Sequence, residues 1–131
     1  MRTNMDIENY LKTLGADYKV IKEDVWLVSL KDTDIDNLII SLVPPLVVFR
    51  INLMPVPSKN REGFFRRLLE INAKEMVHGA YGIEGDKVVI IDTLQMENLD
   101  LNEFEASIEA LYYTVTHHFN ELAGYLEKKG D

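Results

Sequence analysis

Apolar positions along the chain switch back and forth between a helical and a strand period, and each switch marks an element. Ile7, Tyr10, Leu11 and Leu14 recur at i, i+3, i+4 and i+7, one stripe of a helix of about three turns. Thr3 and Asp6 have capping-box spacing at its start, and Gly15 stands where a left-handed stop is wanted. From Tyr18 the pattern alternates. Tyr18–Ile21 and Val25–Leu30 flank Lys22-Glu23-Asp24 and predict a hairpin, with Trp26, Val28 and Leu30 on one face and Val25, Leu27 and Ser29 on the other. A polar link over Lys31–Asn37 leads to Leu38–Val43 and Leu46–Met54. Pro44-Pro45 joins these two runs at a corner, because proline cannot donate to a sheet ladder. In the second run Val47, Phe49, Ile51 and Leu53 alternate with Val48, Arg50, Asn52 and Met54. Strands following one another without intervening helices predict an antiparallel meander.

Pro55 and Pro57 end the meander, and a helical pattern starts near Ser58 or Asn60 and runs to Met76. Phe64, Phe65, Leu68, Leu69, Ile71 and Met76 make its apolar side; Lys59, Arg61, Arg66 and Arg67 make a basic one. Gly79–Leu94 predicts a second hairpin that turns at Glu84-Gly85-Asp86-Lys87. Ala80 and Gly82 leave one face of its first strand bare, an expected landing place for a helix or a bulky ring. Val88–Ile91 is apolar on both faces, as in a central strand or one covered by a second subunit. Asp100 and Glu103 then form a capping box, and Leu99 with Phe104 a hydrophobic staple. Leu101, Phe104, Ile108, Leu111, Val115, Phe119, Leu122 and Leu126 keep helical spacing for about seven turns, or roughly 40 Å. Lys128, Lys129 and Gly130 suit its C-terminus. The expected architecture is α+β in the order α-β-β-β-β-α-β-β-α. An antiparallel twisted sheet of five to six strands carries packed helices, in a single domain over residues 1–131.

Composition narrows the function. The 131 residues are 47% hydrophobic, enough for a core without metals or disulfides. The absence of cysteine removes disulfide scaffolds, thiolate zinc sites and cysteine nucleophiles together. No apolar core for a signal peptide follows Met1, and the longest apolar-biased run, Leu38–Phe49, is far below the ~20 residues of a membrane span. The expectation is a cytoplasmic protein that does not enter membranes. A net charge of −8 argues against nucleic acid and anionic lipid as partners.

Candidate chemistry is sparse. Gly79, Gly82 and Gly85 followed by Lys87 fail as a phosphate loop, because that loop needs its lysine to open a helix and Lys87 enters a strand. His117, His118 and Glu121 share one helix, and His117 with Glu121 at i, i+4 has metal-ligand spacing. Against that, Tyr112, Tyr113 and the two histidines also read as a half-buried helix flank, and no second ligand cluster is visible in sequence. Asp92, Glu97, Asp100, Glu103, Glu105 and Glu109 run without a base among them and read as a solvated face. The four serines lie outside any G-x-S-x-G motif. No catalytic residue and no cofactor is expected.

Three stretches carry a resemblance: FFRRLLEINA (64–73), GAYGIEGDKVVIIDTL (79–94) and LDLNEFEASIEAL (99–111). With the element order, they resemble the type III secretion chaperone-like fold and, within it, the YbjN family of bacterial proteins. Leu69-Glu70-Ile71-Asn72 stands where that family has a Leu-x-x-Asn-like segment before a glycine-started strand, and Leu99-Asp100 where its closing helix opens. The resemblance implies a non-enzymatic protein-binding module, chaperone-like or regulatory, that works as a homodimer and holds an extended polypeptide segment of a client. Trp26, Val28, Val48 and Arg50 are the expected partner-binding residues on the sheet face; Phe64, Arg67, Val88 and Ile90 are the expected dimer surface. The alternative is a small-molecule- or metal-binding regulatory domain that uses the Tyr112–Glu121 flank.

Overall fold

A computed structural model describes residues 3–30, 33, 35–76 and 78–127, the last by its backbone only. The expected C-terminal stop at Lys128, Lys129 and Gly130 lies outside these, as do Lys31, Asp32 and Asp34 of the polar link. Helix α1 (Asn4–Thr13) precedes strands β1 (Asp17–Lys22), β2 (Val25–Ser29), β3 (Leu38–Val43) and β4 (Leu46–Pro55). Helix α2 (Arg61–Lys74), strands β5 (Ala80–Glu84) and β6 (Lys87–Gln95) and helix α3 (Leu101–Glu127) complete the expected order. Among the described residues the strands form one six-stranded antiparallel sheet in the order β1-β2-β3-β4-β6-β5.

The ends of the helices follow from their sequence. The Asp6 carboxylate accepts from the Thr3 backbone N–H at 2.8 Å at the start of α1. At its end Gly15 takes a φ of +73°, and Gly15 and Ala16 donate to Lys12 and Leu11, which satisfies two otherwise orphaned carbonyls. Asp100 and Glu103 exchange side chain-to-backbone hydrogen bonds of 2.8 and 3.3 Å at the start of α3. Leu99 and Phe104 are both buried beside them.

Register decides which residues face inward. Tyr18, Val28, Leu38, Ile51, Ile90 and Tyr81 are successive cross-strand partners, a single row across the whole sheet. That row, with Trp26, Ile40, Val47 and Phe49, packs against Ile7 and Leu11 of α1, Phe64, Leu68 and Ile71 of α2, and Phe104, Ile108 and Leu111 of α3. Among the described residues no helix covers the opposite face.

Four expectations need correction. A bulge between Asn52 and Met54 breaks the alternation of β4, so Met54 turns into the core in place of Leu53. Leu69 and Phe119, expected on apolar stripes, are 67% and 47% exposed, since they fall at the rims of their helices. Among the described residues no helix or ring lands on the bare face of Ala80 and Gly82, where the nearest atom to an added Gly82 Cβ is Val89 Cγ2 at 3.9 Å. The close approach occurs at Gly79 instead: its φ is +75°, and a Cβ there would meet the Ile91 carbonyl oxygen at 2.8 Å. Finally, Asp92 is not merely solvated. It accepts from the buried Ser107 hydroxyl at 2.6 Å and so ties β6 to α3.

The edge strand β5 is held by a side chain. Asn72 of α2 donates its amide to the Tyr81 carbonyl at 3.0 Å and accepts from the Tyr81 N–H at 2.8 Å, as a neighbouring strand would.

Candidate functional site

The uncovered sheet face is built from the alternate residues of the same strands. One cross-strand row holds Leu27, Ile39, Arg50 and Ile91; the next holds Val25, Ser41, Val48 and Thr93. Leu27, Ile39, Val48 and Ile91 are half-buried and stand outside the core cluster. A depression of about 440 Å³ on this face is lined by Ile39, Ser41, Val43, Val48, Arg50, Asn52 and Glu84. Val43 at its end is 54% exposed.

One ion pair crosses the face. Arg50 Nη1 meets Glu84 Oε1 at 2.7 Å. In register Arg50 lies opposite Ile91 and Glu84 opposite Lys87, so the pair spans β6 above the residue between them, Val89. Val89 is only 2% exposed although it is not part of the core cluster.

The expected partner-binding residues therefore divide. Val48 and Arg50 lie on the open face. Trp26 and Val28, at 1% and 0% exposure, lie on the other. Helix α1 covers Trp26, whose indole N–H donates to Glu8 at 2.9 Å. The two pairs occupy opposite faces because Trp26 and Val28 align with Phe49 and Ile51, not with their neighbours Val48 and Arg50. Of the expected dimer surface, Phe64, Val88 and Ile90 are fully buried in the core between sheet and helices. Arg67 remains partly exposed but is engaged within its own chain.

That engagement belongs to a polar cluster on the helical side. Arg67 holds Glu121 through two guanidinium nitrogens and reaches Glu75 Oε2 at 3.2 Å. Glu75 Oε1 lies 2.9 Å from His118 Nε2, and His118 Nδ1 lies 3.0 Å from the Tyr81 hydroxyl. His118 is 4% exposed. An ionised carboxylate only accepts, so His118 donates through Nε2 to Glu75, and the Tyr81 hydroxyl, able to donate or accept, is the partner of Nδ1. The hydrogen bond from His118, aided by the Arg67 charge, holds Glu75 below the ordinary carboxylate range. The hydrogen bond from Arg67 does the same for Glu121. Burial, with Glu75 and Glu121 nearby, pushes the Tyr81 phenol up. Glu121 thus pairs with Arg67 rather than with His117, and the candidate i, i+4 pair weighed in the sequence is not brought together as a ligand set. The aromatic part of the same flank, Tyr112 and Phe119, borders a cleft of about 380 Å³ beside Ile35, Ile51 and Leu53.

No group of nucleophile, base and oxyanion donors accompanies either region among the described residues. A sheet bare on one side among the described residues, with an apolar strip across it, is a surface suited to a protein partner. The comparisons agree. The family model CesT_Tir_1 matches residues 1–128, and the chain belongs to that family of type III secretion chaperones. It is accordingly a chaperone-like, protein-binding member and not an enzyme. No curated protein sequence gives a significant match.

Solved structures share the fold at low identity. YbjN from E. coli superposes with a TM-score of 0.68 at 15% identity, covering 92% of this chain and 93% of that one. One chain of the heterodimeric ExoU–SpcU complex, from the type III secretion system of Pseudomonas aeruginosa, gives 0.61 at 15% identity over 92% and 98%. The HopA1–SchA chaperone–effector complex gives 0.62 at 11% identity over 95% and 92%. Among the described residues no helix is long and apolar enough to cross a membrane.

Proposed function

We propose that the chain works as a cytoplasmic homodimer that holds an extended segment of a client protein against its open sheet face. The observation that carries this reading is the apolar strip Leu27, Ile39, Val48 and Ile91, half-buried and without a helix over it among the described residues. An extended chain suits such a face, because a segment of period two can set alternate side chains between the rows of a pleated surface. Membership of a secretion-chaperone family supports a polypeptide occupant, as do the complexes in which relatives of the fold occur. Apolar side chains left over elsewhere, Leu69, Tyr113 and Phe119 at 67%, 66% and 47% exposure, support a second copy on the helical side. The absence of cysteine supports the cytoplasm.

The test uses labelled extended peptides rich in apolar residues. The wild-type chain is expected to bind a subset of them, with hydrogen-exchange protection of β3 and β4. Val48→Asp, which puts a charge in the middle of the strip, is expected to weaken binding by roughly tenfold or more, since burying an unpaired charge costs several kcal/mol. Leu69→Asp leaves peptide binding intact and shifts light scattering from dimer to monomer. Binding unaffected by Val48→Asp sinks the open-face reading, and a wild-type monomer sinks the dimer.

The alternative of a small-molecule site on the Tyr112–Glu121 flank is favoured by one observation, the cleft beside Tyr112 and Phe119. A compound that raises the melting temperature in wild type but not in Phe119→Ala supports it.

A further inference from the structure

We propose that Glu75, His117 and His118 form a binding site for a first-row divalent cation, zinc foremost, which joins the end of α2 to α3. One ligand atom from each of these three residues lies within 4.8 Å of the others. Glu75 Oε1 and His118 Nε2 are already 2.9 Å apart. Donors around a tetrahedral zinc, at about 2.0–2.1 Å from the ion, stand roughly 3.3 Å from one another. The set therefore needs only a small opening between Glu75 and His118 and a swing of His117. That swing is available: His117 is exposed, and the described ring contacts beside it are stacking on Tyr113, centroids 5.7 Å apart, and an edge contact with His118.

The surroundings are arranged as the outer shell of a metal site would be. Two of the three ligands have their other polar atom occupied: Glu75 Oε2 faces Arg67 at 3.2 Å, and His118 Nδ1 faces the Tyr81 hydroxyl at 3.0 Å. With a cation on Nε2, the His118 proton moves to Nδ1 and is donated to the Tyr81 oxygen, so the ring stays neutral and oriented. The groups facing the site from α2, β5 and α3 include Arg67, Tyr81 and Glu121. Two carboxylates, Glu75 and Glu121, against one guanidinium leave the neighbourhood negative before any ion enters. Two imidazoles with one carboxylate select zinc, nickel, copper or cobalt over calcium and magnesium, which take oxygen. Three protein ligands leave a fourth position for water or for a donor from another molecule. The cluster lies on the helical side of the sheet, away from the open face, so the inference stands whether or not that face holds a client.

The test is titration of chelator-treated full-length protein with zinc, and with cobalt for its absorption. One equivalent is expected to bind with micromolar or tighter affinity, raise the melting temperature, and give the visible bands of cobalt in an N/O site. His117→Ala removes an exposed ligand with little risk to the fold and is expected to lower affinity at least tenfold, as loss of even an outer-shell partner costs 10–100-fold. Glu75→Gln keeps the shape and is expected to do the same. Magnesium and calcium at equal concentration are expected to leave the melting temperature unchanged. Absence of stoichiometric zinc binding overturns the proposal. So does binding that survives both His117→Ala and Glu75→Gln, which would place the ion at other groups such as His78.

Discussion

The two faces of the sheet are made by the same strands and behave as different materials. On the helical face Trp26, Phe49, Val28, Leu38, Ile51 and Ile90 are buried to 2% exposure or less and interlock with three helices. On the open face Leu27, Ile39, Val48 and Ile91 are aliphatic and half-buried, with no helix over them among the described residues and the Arg50–Glu84 bar to one side. Phe49 and Val48 are neighbours in sequence yet face opposite environments. Strand periodicity lets one segment serve stability through one residue and leave the next free for a partner.

The sharpest way to break this comparison is to truncate those neighbours one at a time. Phe49→Ala removes a fully buried ring that packs on Phe104 at 5.5 Å and is expected to cost about 3–5 kcal/mol in urea unfolding. Val48→Ala is expected to cost less than about 1.5 kcal/mol, because its site is already half-open. Equal costs would mean that the open face is a second core. Asn72→Ala strips both hydrogen bonds from the Tyr81 backbone and is expected to cost about 1–3 kcal/mol, with hydrogen exchange speeding up in β5 before the other strands.

Smaller effects belong to the charges. The Glu121 carboxyl is held below its ordinary value of 4.5 by Arg67. Its contribution is therefore present above that value and is lost as pH falls through the lowered one. Unfolding midpoints should drop between neutral pH and the acid range more steeply in wild type than in Glu121→Gln. Arg50→Ala sits at the bottom of the scale. An exposed ion pair is worth about 0–1 kcal/mol, so stability should barely change, while an apolar fluorescent dye should gain access to Val89. Unchanged dye binding would show that other neighbours shield Val89.

Period and punctuation made most of the architecture readable. Gly15, Pro44-Pro45, the Glu84–Lys87 turn and the Asp100–Glu103 box each work through residues at most a few positions apart, and the element order follows from them. The faces were harder. Alternation shows that Trp26 and Leu27 point opposite ways, but not which of them meets α1, since that depends on where the helices dock. The bulge at Asn52–Met54 left no mark of its own in the pattern, so Leu53 and Met54 came out exchanged. Of the four residues expected to bind a partner, Val48 and Arg50 lie on the open face, and Arg50 and Asn52 were the polar marks in the sequence that set that side of β4 apart. The Glu75–His118 contact joins residues 43 positions apart, beyond the reach of any helical or strand spacing. Asn72 was visible as a motif residue, but its work on Tyr81 needs the tertiary fold.

That asparagine has a consequence for how the protein behaves in a crowded solution. An open sheet with a bare apolar face invites edge-to-edge growth into fibres, for which a free outer strand is the template. β5 is only five residues long, and its outer amide and carbonyl at Tyr81 are already occupied by the Asn72 side chain. Ladder growth on that side is blocked by an internal mimic of a strand, at the expense of one side chain. Losing it should therefore appear as lower solubility and as thioflavin-positive aggregates at concentrations where the wild type stays clear.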